Sequence, residues 1–422
     1  MKKNTTNWFF AFALFSCLSV LASCNKDIEP PKRNGTTSDS RSSFRITQEE
    51  ACNDLMNFLA LLDKQGGSKL RSSQKRRIKS VETILQQHRN GSSLRAGKAS
   101  TDSLFYLVNF EDSAGYAIIA ADKRIKEPIL AIIDQGNTTS ANLDDILADL
   151  DPIDEWEREE SFHYMVTYAK ELTKINDAGW TIDKLSLPRL DTKWGQRSGY
   201  NKYCLGSPAG CGPIAGAQIL AYFNYLKPVL RVVQWRDEYN NSGTSGMDWK
   251  SIIRKCREHD GELPSEASEE WDQVANLIRY VGLSMKASYH KDATSTSTKN
   301  EIVGMRNMGL KASDEYMLKP FRVESTLNEG DLVFAGGFRR RFLGIPYGGH
   351  SFVIDGYVKA TKDGKQQFLP HINWGWYGTD NGYYSLKLLR TSKPVISDGS
   401  RSSGSDRYYE YDLHMFSVGH RK

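Results

Sequence analysis

The pattern of apolar and polar positions predicts a small α+β region in the first half of the chain. Residues 47–62 read as a helix that begins with a capping box, Thr47 followed by Glu50. Runs rich in β-branched and aromatic residues follow, and the first two are separated by a short polar turn, which predicts a hairpin. The predicted strands are 103–110, 115–121 and 128–133. An acidic run at 144–160 predicts a further helix, with a solvated face or a docking face.

The second half combines an apolar helical run at 211–223 with a strand at 351–358. Lys362-Asp363-Gly364-Lys365 is a two-residue hairpin turn, so the chain after it is predicted to pair with residues 351–358. If this register continues away from the turn along both strands, His350 lies opposite Tyr377. The half is therefore predicted to contain a helical part and an antiparallel sheet.

Composition and charge exclude several classes of protein. The 422 residues carry a formal net charge of +5, which is small for this length and argues against nucleic acid as a partner. The sequence has no phosphate-binding loop, dinucleotide fingerprint or zinc-type cysteine pairs, so neither a metal nor another cofactor is expected. The chain is long enough for two domains.

The N-terminus has the pattern of an export signal. Lys2 and Lys3 precede an apolar stretch that ends in Leu21-Ala22-Ser23-Cys24, which is similar to a bacterial lipobox. In such a signal Cys24 is lipidated and becomes the mature N-terminus, whereas a simple cleaved signal is the alternative. Residues 1–24 are therefore predicted to be a lipoprotein signal peptide and residues 25–43 a flexible tether. This predicts an exported protein on the outer membrane or cell surface, attached through lipid alone.

Cys211 stands between small residues at the start of the apolar helical run. A helix N-terminus and a nearby imidazolium lower the pKa of a cysteine, and the thiolate is the nucleophilic form. Pro213 fits the first helical turn. The pattern is also compatible with a buried structural cysteine.

His350 is the candidate base. It follows Gly349, which leaves room for a substrate, and precedes the strand 351–358. Asn373 or a nearby backbone carbonyl comes within reach of the imidazole and fixes its tautomer, although Asn373 is equally compatible with a simple turn residue. Trp374 and Trp376 are candidates for the wall of the site or for core packing.

The remaining cysteines outside the signal are too few for a disulfide scaffold. They are Cys52, Cys204 and Cys256. A Cys204–Cys256 bridge is compatible with an oxidising compartment, but unpaired thiols are expected.

Three segments together resemble the streptopain family of bacterial cysteine peptidases, which have a papain-like fold. They are Gly210-Cys211 leading into Ala217-Gln218-Ile219, then Gly349-His350-Ser351-Phe352-Val353-Ile354-Asp355-Gly356, and His371-Ile372-Asn373-Trp374-Gly375-Trp376. The resemblance implies Cys211 as nucleophile, His350 as general base and acid, Gln196 as oxyanion donor, and the Asn373-Trp374 segment as the orienter of the histidine. Asn373 stands directly before Trp374, whereas papain has one residue between them, so the third member of the site stays open.

The first half resembles the family's inhibitory pro-region through residues 105–110, 115–119 and 121–128. The resemblance implies a pro-domain at 44–178 and a two-lobed papain-like catalytic domain at 179–422. The chain is then a lipid-anchored zymogen of a cysteine endopeptidase that acts on proteins or peptides and is inhibited by its own pro-domain. A cell-wall peptidase and a non-catalytic surface binding lipoprotein are the alternatives. A basic run, Arg339-Arg340-Arg341-Phe342, is expected in a loop before His350.

Overall fold

The structure is a computed structural model that describes residues 45–66, 76–85, 103–121, 123, 127–139, 179–264, 268–342, 345–386 and 411–420. Several predictions fall outside these residues: the signal peptide with Cys24, the tether 25–43, the acidic run 144–160 and the domain boundary at 178/179. They stay predictions.

The described chain contains both helices and antiparallel strands. The helices are α1 (Gln48–Gly66), α2 (Cys211–Leu226), α3 (Trp249–Glu258), α4 (Glu269–Ser284), α5 (Thr298–Asn307) and α6 (Pro320–Asn328). The strands before α2 are β1 (Ile78–Leu85), β2 (Ser103–Phe110), β3 (Tyr116–Ala120), β4 (Ile129–Ile133) and β5 (Thr181–Ser186). Short strands follow: β6 (Val232–Arg236), β7 (Ser242–Gly246), β8 (Ser288–Tyr289), β9 (Thr294–Ser295), β10 (Leu310–Ala312) and β11 (Tyr316–Met317). The last strands are β12 (Leu332–Phe342), β13 (Ile345–Lys362), β14 (Lys365–Asn373), β15 (Gly382–Tyr384) and β16 (Tyr411–His420).

One antiparallel sheet of twelve strands runs through both halves of the described chain, in the order β1-β2-β3-β4-β15-β14-β13-β12-β16-β10. In addition, β11 pairs with β16 and β5 with β13. The two halves meet where β4 pairs with β15, with Gly382 opposite Ile133. The predicted α+β class, with a helical part and an antiparallel sheet, is confirmed.

The helix predicted at 47–62 and the strands predicted at 103–110, 115–121 and 128–133 are also confirmed, as α1, β2, β3 and β4. The amide of Thr47 donates to Oε2 of Glu50 over 2.8 Å, and the amide of Glu50 donates to Oγ1 of Thr47 over 3.1 Å, which is the reciprocal capping box. β2 and β3 form the predicted hairpin around a 3₁₀ turn, Glu111–Ser113. Asp112 adopts φ of 53° there, a left-handed conformation that Asp tolerates better than most residues.

The sheet buries apolar side chains on both faces. Successive residues of a strand point to opposite faces, and Tyr106 and Val108 pack under α1 while Leu107 packs with the helices of the second half. Both apolar clusters contain residues from both halves of the chain. The first half therefore shares its core with the second and does not form a separate body.

The predicted turn at Asp363-Gly364 sets the register of β13 and β14 as expected from Lys362↔Lys365 to Gly356↔His371. The register then shifts by one residue between Ile354 and Gly356, and pairing ends at Val353↔Asn373. His350 pairs with Gly337 of β12 instead. The expected position of His350 opposite Tyr377 is wrong, because Asp355 forms a bulge and β14 ends before Tyr377.

The basic run before His350 is not a loop. Residues 339–342 belong to β12, which pairs with β13 as far as Phe342↔Ile345. The prediction of a loop is wrong because β12 and β13 continue to pair as a hairpin after the last pair of β12 with β16, Phe338↔Tyr411. No helix among the described residues has the length and apolar content needed to cross a membrane.

Replacing Gly382 by Ala should loosen the junction between the two halves. A Cβ at Gly382 would lie 2.2 Å from the carbonyl oxygen of Ile132, so β15 must move away from β4. Overpacking of this kind costs about 1–3 kcal/mol. Hydrogen exchange should show faster exchange of the amides of β4 and β15 than in the wild type. Gly246→Ala is the control, because its Cβ would meet nothing within 4 Å; equal exchange in the two variants would contradict the expectation.

Candidate active site

Cys211 is the first residue of α2 and is half-buried. Gly210 precedes it with φ of 95°, a conformation that residues with a side chain rarely adopt, so the chain can turn sharply into the helix. A Cβ on Gly212 would lie 2.6 Å from Oε1 of Glu301. Glycine at this position therefore admits the Glu301 carboxyl to the first turn of α2, beside Cys211.

The thiol of Cys211 is not a low-pKa thiol in this form of the chain. Burial raises its pKa, the charge of Glu301 raises it further, and hydrogen bonds from the amides of Ser351 and Gly212 and from the Ser351 hydroxyl act in the opposite direction. The expectation of a lowered pKa from the helix N-terminus is therefore not met here, because desolvation outweighs the local donors. The thiol is predominantly protonated in the full chain.

His350 lies on β13 with only 6% of its surface exposed. Its Nε2 donates to the backbone carbonyl oxygen of Trp374 over 2.9 Å. Because a carbonyl only accepts, Nε2 carries the proton, and in the neutral ring Nδ1 is left to accept one. The adjacent residue, Ser351, contacts the Cys211 thiol. The structure thus brings the Cys211 thiol to the residue that follows His350 on β13.

Two tryptophans cover the imidazole. The ring of Trp376 lies 4.6 Å from that of His350, and Trp374 stacks on Trp376 at 5.3 Å with an interplanar angle of 12°. Trp374 is fully buried and Trp376 is 5% exposed. Both exclude water from one side of the histidine. Gly349, the predicted substrate contact, is exposed next to His350.

The Asn373 side chain has other partners. Its Nδ2 donates to the carbonyl oxygen of Thr192 over 2.8 Å, and its Oδ1 accepts from the Gln218 amide over 3.2 Å and from the Gly375 amide over 3.1 Å. The structure therefore assigns the described contact with His350 to the Trp374 carbonyl, the backbone alternative, and not to Asn373. Asn373 orients that carbonyl indirectly, because it fixes the backbone on either side of Trp374.

The backbone of Gln196 is hydrogen-bonded to the segment that leads into Cys211. Its backbone carbonyl accepts from the amide of Ala209 over 2.8 Å, two residues before Cys211, and the residue is half-buried. This placement is compatible with the predicted oxyanion role, which stays a prediction.

A charged cluster lies behind the site, where the two halves meet. Nδ1 of His371 contacts Asp355 over 2.6 Å and Nε2 contacts Asp134 over 3.0 Å. Burial opposes the charge on His371, but the two carboxylates raise its pKa to about 10, so the ring is an imidazolium at neutral pH. Asp134 follows β4 in the first half, and His371 and Asp355 belong to the second.

The structure also shows the state of two other cysteines and several residues near the site that the sequence analysis did not single out. Cys204 and Cys256 are both buried and neither is in a disulfide, so the Cys204–Cys256 bridge does not form. Sequence reasoning missed Glu301, Ser351, Gln218 and Asp355. Gln218 could have been found as an amide within an apolar helical run, and Ser351 and Asp355 lie inside a segment already singled out. Glu301 gave no signal, since nothing in the sequence distinguishes it from the many other carboxyl residues of the chain.

Among the described residues, no group of three or more His, Cys, Asp or Glu side chains could hold a metal ion.

Known proteins match this chain in two segments. Residues 194–384 match the peptidase C10 family, and residues 43–151 match the Spi protease inhibitor family. Streptopain of Streptococcus pyogenes serotype M1 is 24% identical over 223 residues, which is 47% of this chain and 50% of streptopain. The chain thus spans about half the length of the curated relatives it matches. The resemblance to the streptopain family, with an inhibitor-type pro-region, is confirmed.

Two solved structures were also similar. A fragment of prointerpain A from Prevotella intermedia has a TM-score of 0.46 and 19% identity, over 80% of this chain and 97% of the fragment. Active interpain A, a cysteine protease of the same organism, has a TM-score of 0.40 and 22% identity, over 56% of this chain and 95% of interpain A.

Replacing Asp134 by Asn should weaken the cluster in a pH-dependent way. The raised pKa of His371 gives stability that is complete below its unfolded value of about 6.5 and is lost as pH rises toward 10. The pKa of Asp134 is lowered: burial opposes this, but the hydrogen bond and charge of His371 outweigh it, so its contribution is present above about pH 4. Urea unfolding should therefore separate wild type from D134N most between pH 4 and 6.5, and much less at pH 10.

The matched control is Asp183→Asn, which removes a carboxylate that accepts from Thr361 elsewhere in the sheet. Histidine NMR should show a lower pKa for His371 in D134N and no change in D183N. A stability difference between D134N and wild type that is the same at pH 5 and pH 10 would contradict the assignment.

Proposed function

We propose that the chain is the zymogen of a cysteine endopeptidase, with residues 179–422 as the catalytic domain and residues 44–178 as an inhibitory pro-domain. The observation that carries the proposal is the meeting of the Cys211 thiol with the strand of His350, whose Nε2 is held by the Trp374 carbonyl. Protein or peptide chains are the proposed substrates. The family match over residues 194–384 and the inhibitor match over residues 43–151 support both assignments.

The proposed reaction is acyl transfer through a thioester. His350 takes the proton of Cys211 through Nδ1, and the thiolate attacks the peptide carbonyl. The oxyanion accepts from the Cys211 amide and the Gln196 side chain. His350 then protonates the leaving amine and activates the water that releases the acyl group. The Trp374 carbonyl keeps the imidazole in the required tautomer throughout, and the wall of Trp374 and Trp376 excludes water from the ion pair.

The state of the thiol in the full chain supports latency. Burial and the nearby Glu301 charge hold the pKa of Cys211 above its ordinary value, so little thiolate is present before processing. A change that exposes the thiol to solvent or moves Glu301 would lower that pKa. Loss of the pro-domain is the proposed change.

Casein hydrolysis by residues 25–422 tests the proposal. The protein is incubated under reducing conditions with trace trypsin, as wild type, Cys211→Ala and Cys52→Ala. Wild type and C52A should gain thiol-dependent activity as the pro-domain is removed, while C211A should have about 10⁶-fold less activity, as expected for loss of a nucleophile. Cys52 is the matched control because it is also half-buried and lies in α1 of the pro-domain. Activity in processed C211A, or none in processed wild type, would contradict the proposal.

We also propose export with a lipid anchor on Cys24, on the evidence of the lipobox-like tetrad Leu21-Ala22-Ser23-Cys24. Expressed in a bacterium that processes lipoproteins, the full chain should incorporate labelled fatty acid and sediment with membranes. Cys24→Ser should abolish the label and release the protein to the soluble fraction, whereas Cys52→Ser should behave as wild type. Label retained in C24S would contradict the anchor.

A further inference from the structure

Glu301 is a buried carboxyl beside the proposed nucleophile for which the reaction has no role. It lies in the first turn of α5 with 2% of its surface exposed. Its Oε1 accepts from the hydroxyl of Ser351 over 2.8 Å, and it approaches α2 closely enough to require glycine at position 212. The same Ser351 hydroxyl also contacts the Cys211 thiol. Glu301, Ser351 and Cys211 therefore form a continuous chain.

A hydroxyl has only one hydrogen to donate, so the two neighbours of Ser351 compete for it. When Glu301 is ionised, Ser351 donates to the carboxylate, and the thiolate of Cys211 would face a negative charge without this donor. When Glu301 is protonated, its O–H donates to Oγ of Ser351, and the Ser351 hydrogen is free to donate to the thiolate. Only proton transfers occur: Glu301 gains its proton from solvent, and the S–H bond of Cys211 breaks as an N–H bond forms at Nδ1 of His350.

We propose that Glu301 is a positioning residue for Cys211 whose charge, relayed by the Ser351 hydroxyl, controls how readily the thiol ionises. This inference rests on the proposed function only in taking Cys211 as the nucleophile. It predicts that protonated Glu301 and the Cys211 thiolate occur together, so the peptidase is poised for mildly acidic to neutral conditions.

The surroundings of Glu301 set the pH range. Burial raises its pKa to about 7, Ser351 lowers it through the hydrogen bond, and the charge of Glu315 raises it. The other titratable groups that face this region are Cys211 on α2 and His414 on β16, which contacts Thr298 at the start of α5 over 2.9 Å. His350 precedes Ser351 on β13. We therefore expect Glu301 to change its charge near neutral pH, and with it the ease with which Cys211 ionises.

The test is the rate at which iodoacetamide alkylates Cys211 in the whole chain, residues 25–422, followed by mass spectrometry of the Cys211 peptide from pH 5 to 9. This reaction needs no substrate and no processing. In the wild type the rate should rise with pH but flatten near pH 7, where Glu301 ionises and opposes the thiolate. Glu301→Gln keeps an acceptor for Ser351 without the charge. Its profile should lose the flattening, and alkylation at pH 8 should be about 3- to 10-fold faster, which corresponds to a thiol pKa lower by roughly half a unit to one unit.

Two further variants move the profile in opposite directions. Ser351→Ala removes the hydrogen bond that lowers the pKa of Glu301, so the flattening should shift to higher pH, and alkylation below it should slow because the thiolate loses a donor. Glu315→Gln removes a charge that raises the pKa of Glu301, so the flattening should shift to lower pH. The Glu315 side chain is 51% exposed, so this variant should fold even if E301Q does not.

The control is Glu258→Gln, an exposed carboxyl on α3 that pairs with Arg254, and its profile should superimpose on that of the wild type. A profile of E301Q or E315Q identical to that of the wild type would overturn the inference, even if casein is hydrolysed. If casein is not hydrolysed but the flattening disappears in E301Q and shifts in E315Q, the proposed function fails while the control of Cys211 by Glu301 is supported.

Discussion

The buried carboxylate of Asp355 is the constraint on which the site depends. It lies at the bulge in β13, with 1% of its surface exposed, and a buried charge must be paired. It accepts from the amides of Arg189 and Leu190 over 3.0 and 2.9 Å and contacts His371 over 2.6 Å. One side chain thereby joins the histidine strand, the segment that leads to Gln196, and β14. The carboxylate thereby ties β13, which carries His350, to β14, which leads to Trp374, and to the segment that leads to Gln196.

The shared sheet determines what the proposed removal of the pro-domain involves. The strands β1 to β4 extend the sheet from β15, and side chains of both halves form both apolar clusters. Cutting the connection alone leaves this apolar area buried, so the cut pro-domain should stay bound until it is itself degraded. Once it is gone, β15 becomes an edge of only three residues, which offers little template for pairing with another chain. Asp355 still pairs His371 after Asp134 has left.

Local patterns were sufficient to predict the first helix, the hairpin of the first half and the turn of the second half. The capping box at Thr47, the hairpin of β2 and β3, and the turn at Gly364 act within a few residues, so the sequence carries them directly. The local pattern left Cys211 compatible with a structural cysteine, and the resemblance to the streptopain family singled out Cys211 and His350 as the candidate pair. What could not be predicted depends on pairs distant in the chain. Asp355 at the bulge accepts from the amides of residues 189 and 190, and the choice of the Trp374 carbonyl over Asn373 as the partner of His350 follows from contacts of Asn373 with Gln218 and Thr192.

Two buried carboxyls near the site, those of Asp355 and Glu301, differ in the number of groups that donate to them and in the charges beside them. Asp355 accepts from two backbone amides and lies against an imidazolium, so its charge is satisfied on every side. The carboxyl of Glu301 has one hydrogen-bond donor among the described residues, the Ser351 hydroxyl, and the charge of Glu315 acts on it. Burial, with the charge of Glu315 in addition, raises the pKa of Glu301 to about 7, and the single hydrogen bond from Ser351 offsets this only in part. The same fold therefore fixes its histidine strand with one carboxyl and leaves the other free to respond to pH beside the thiol.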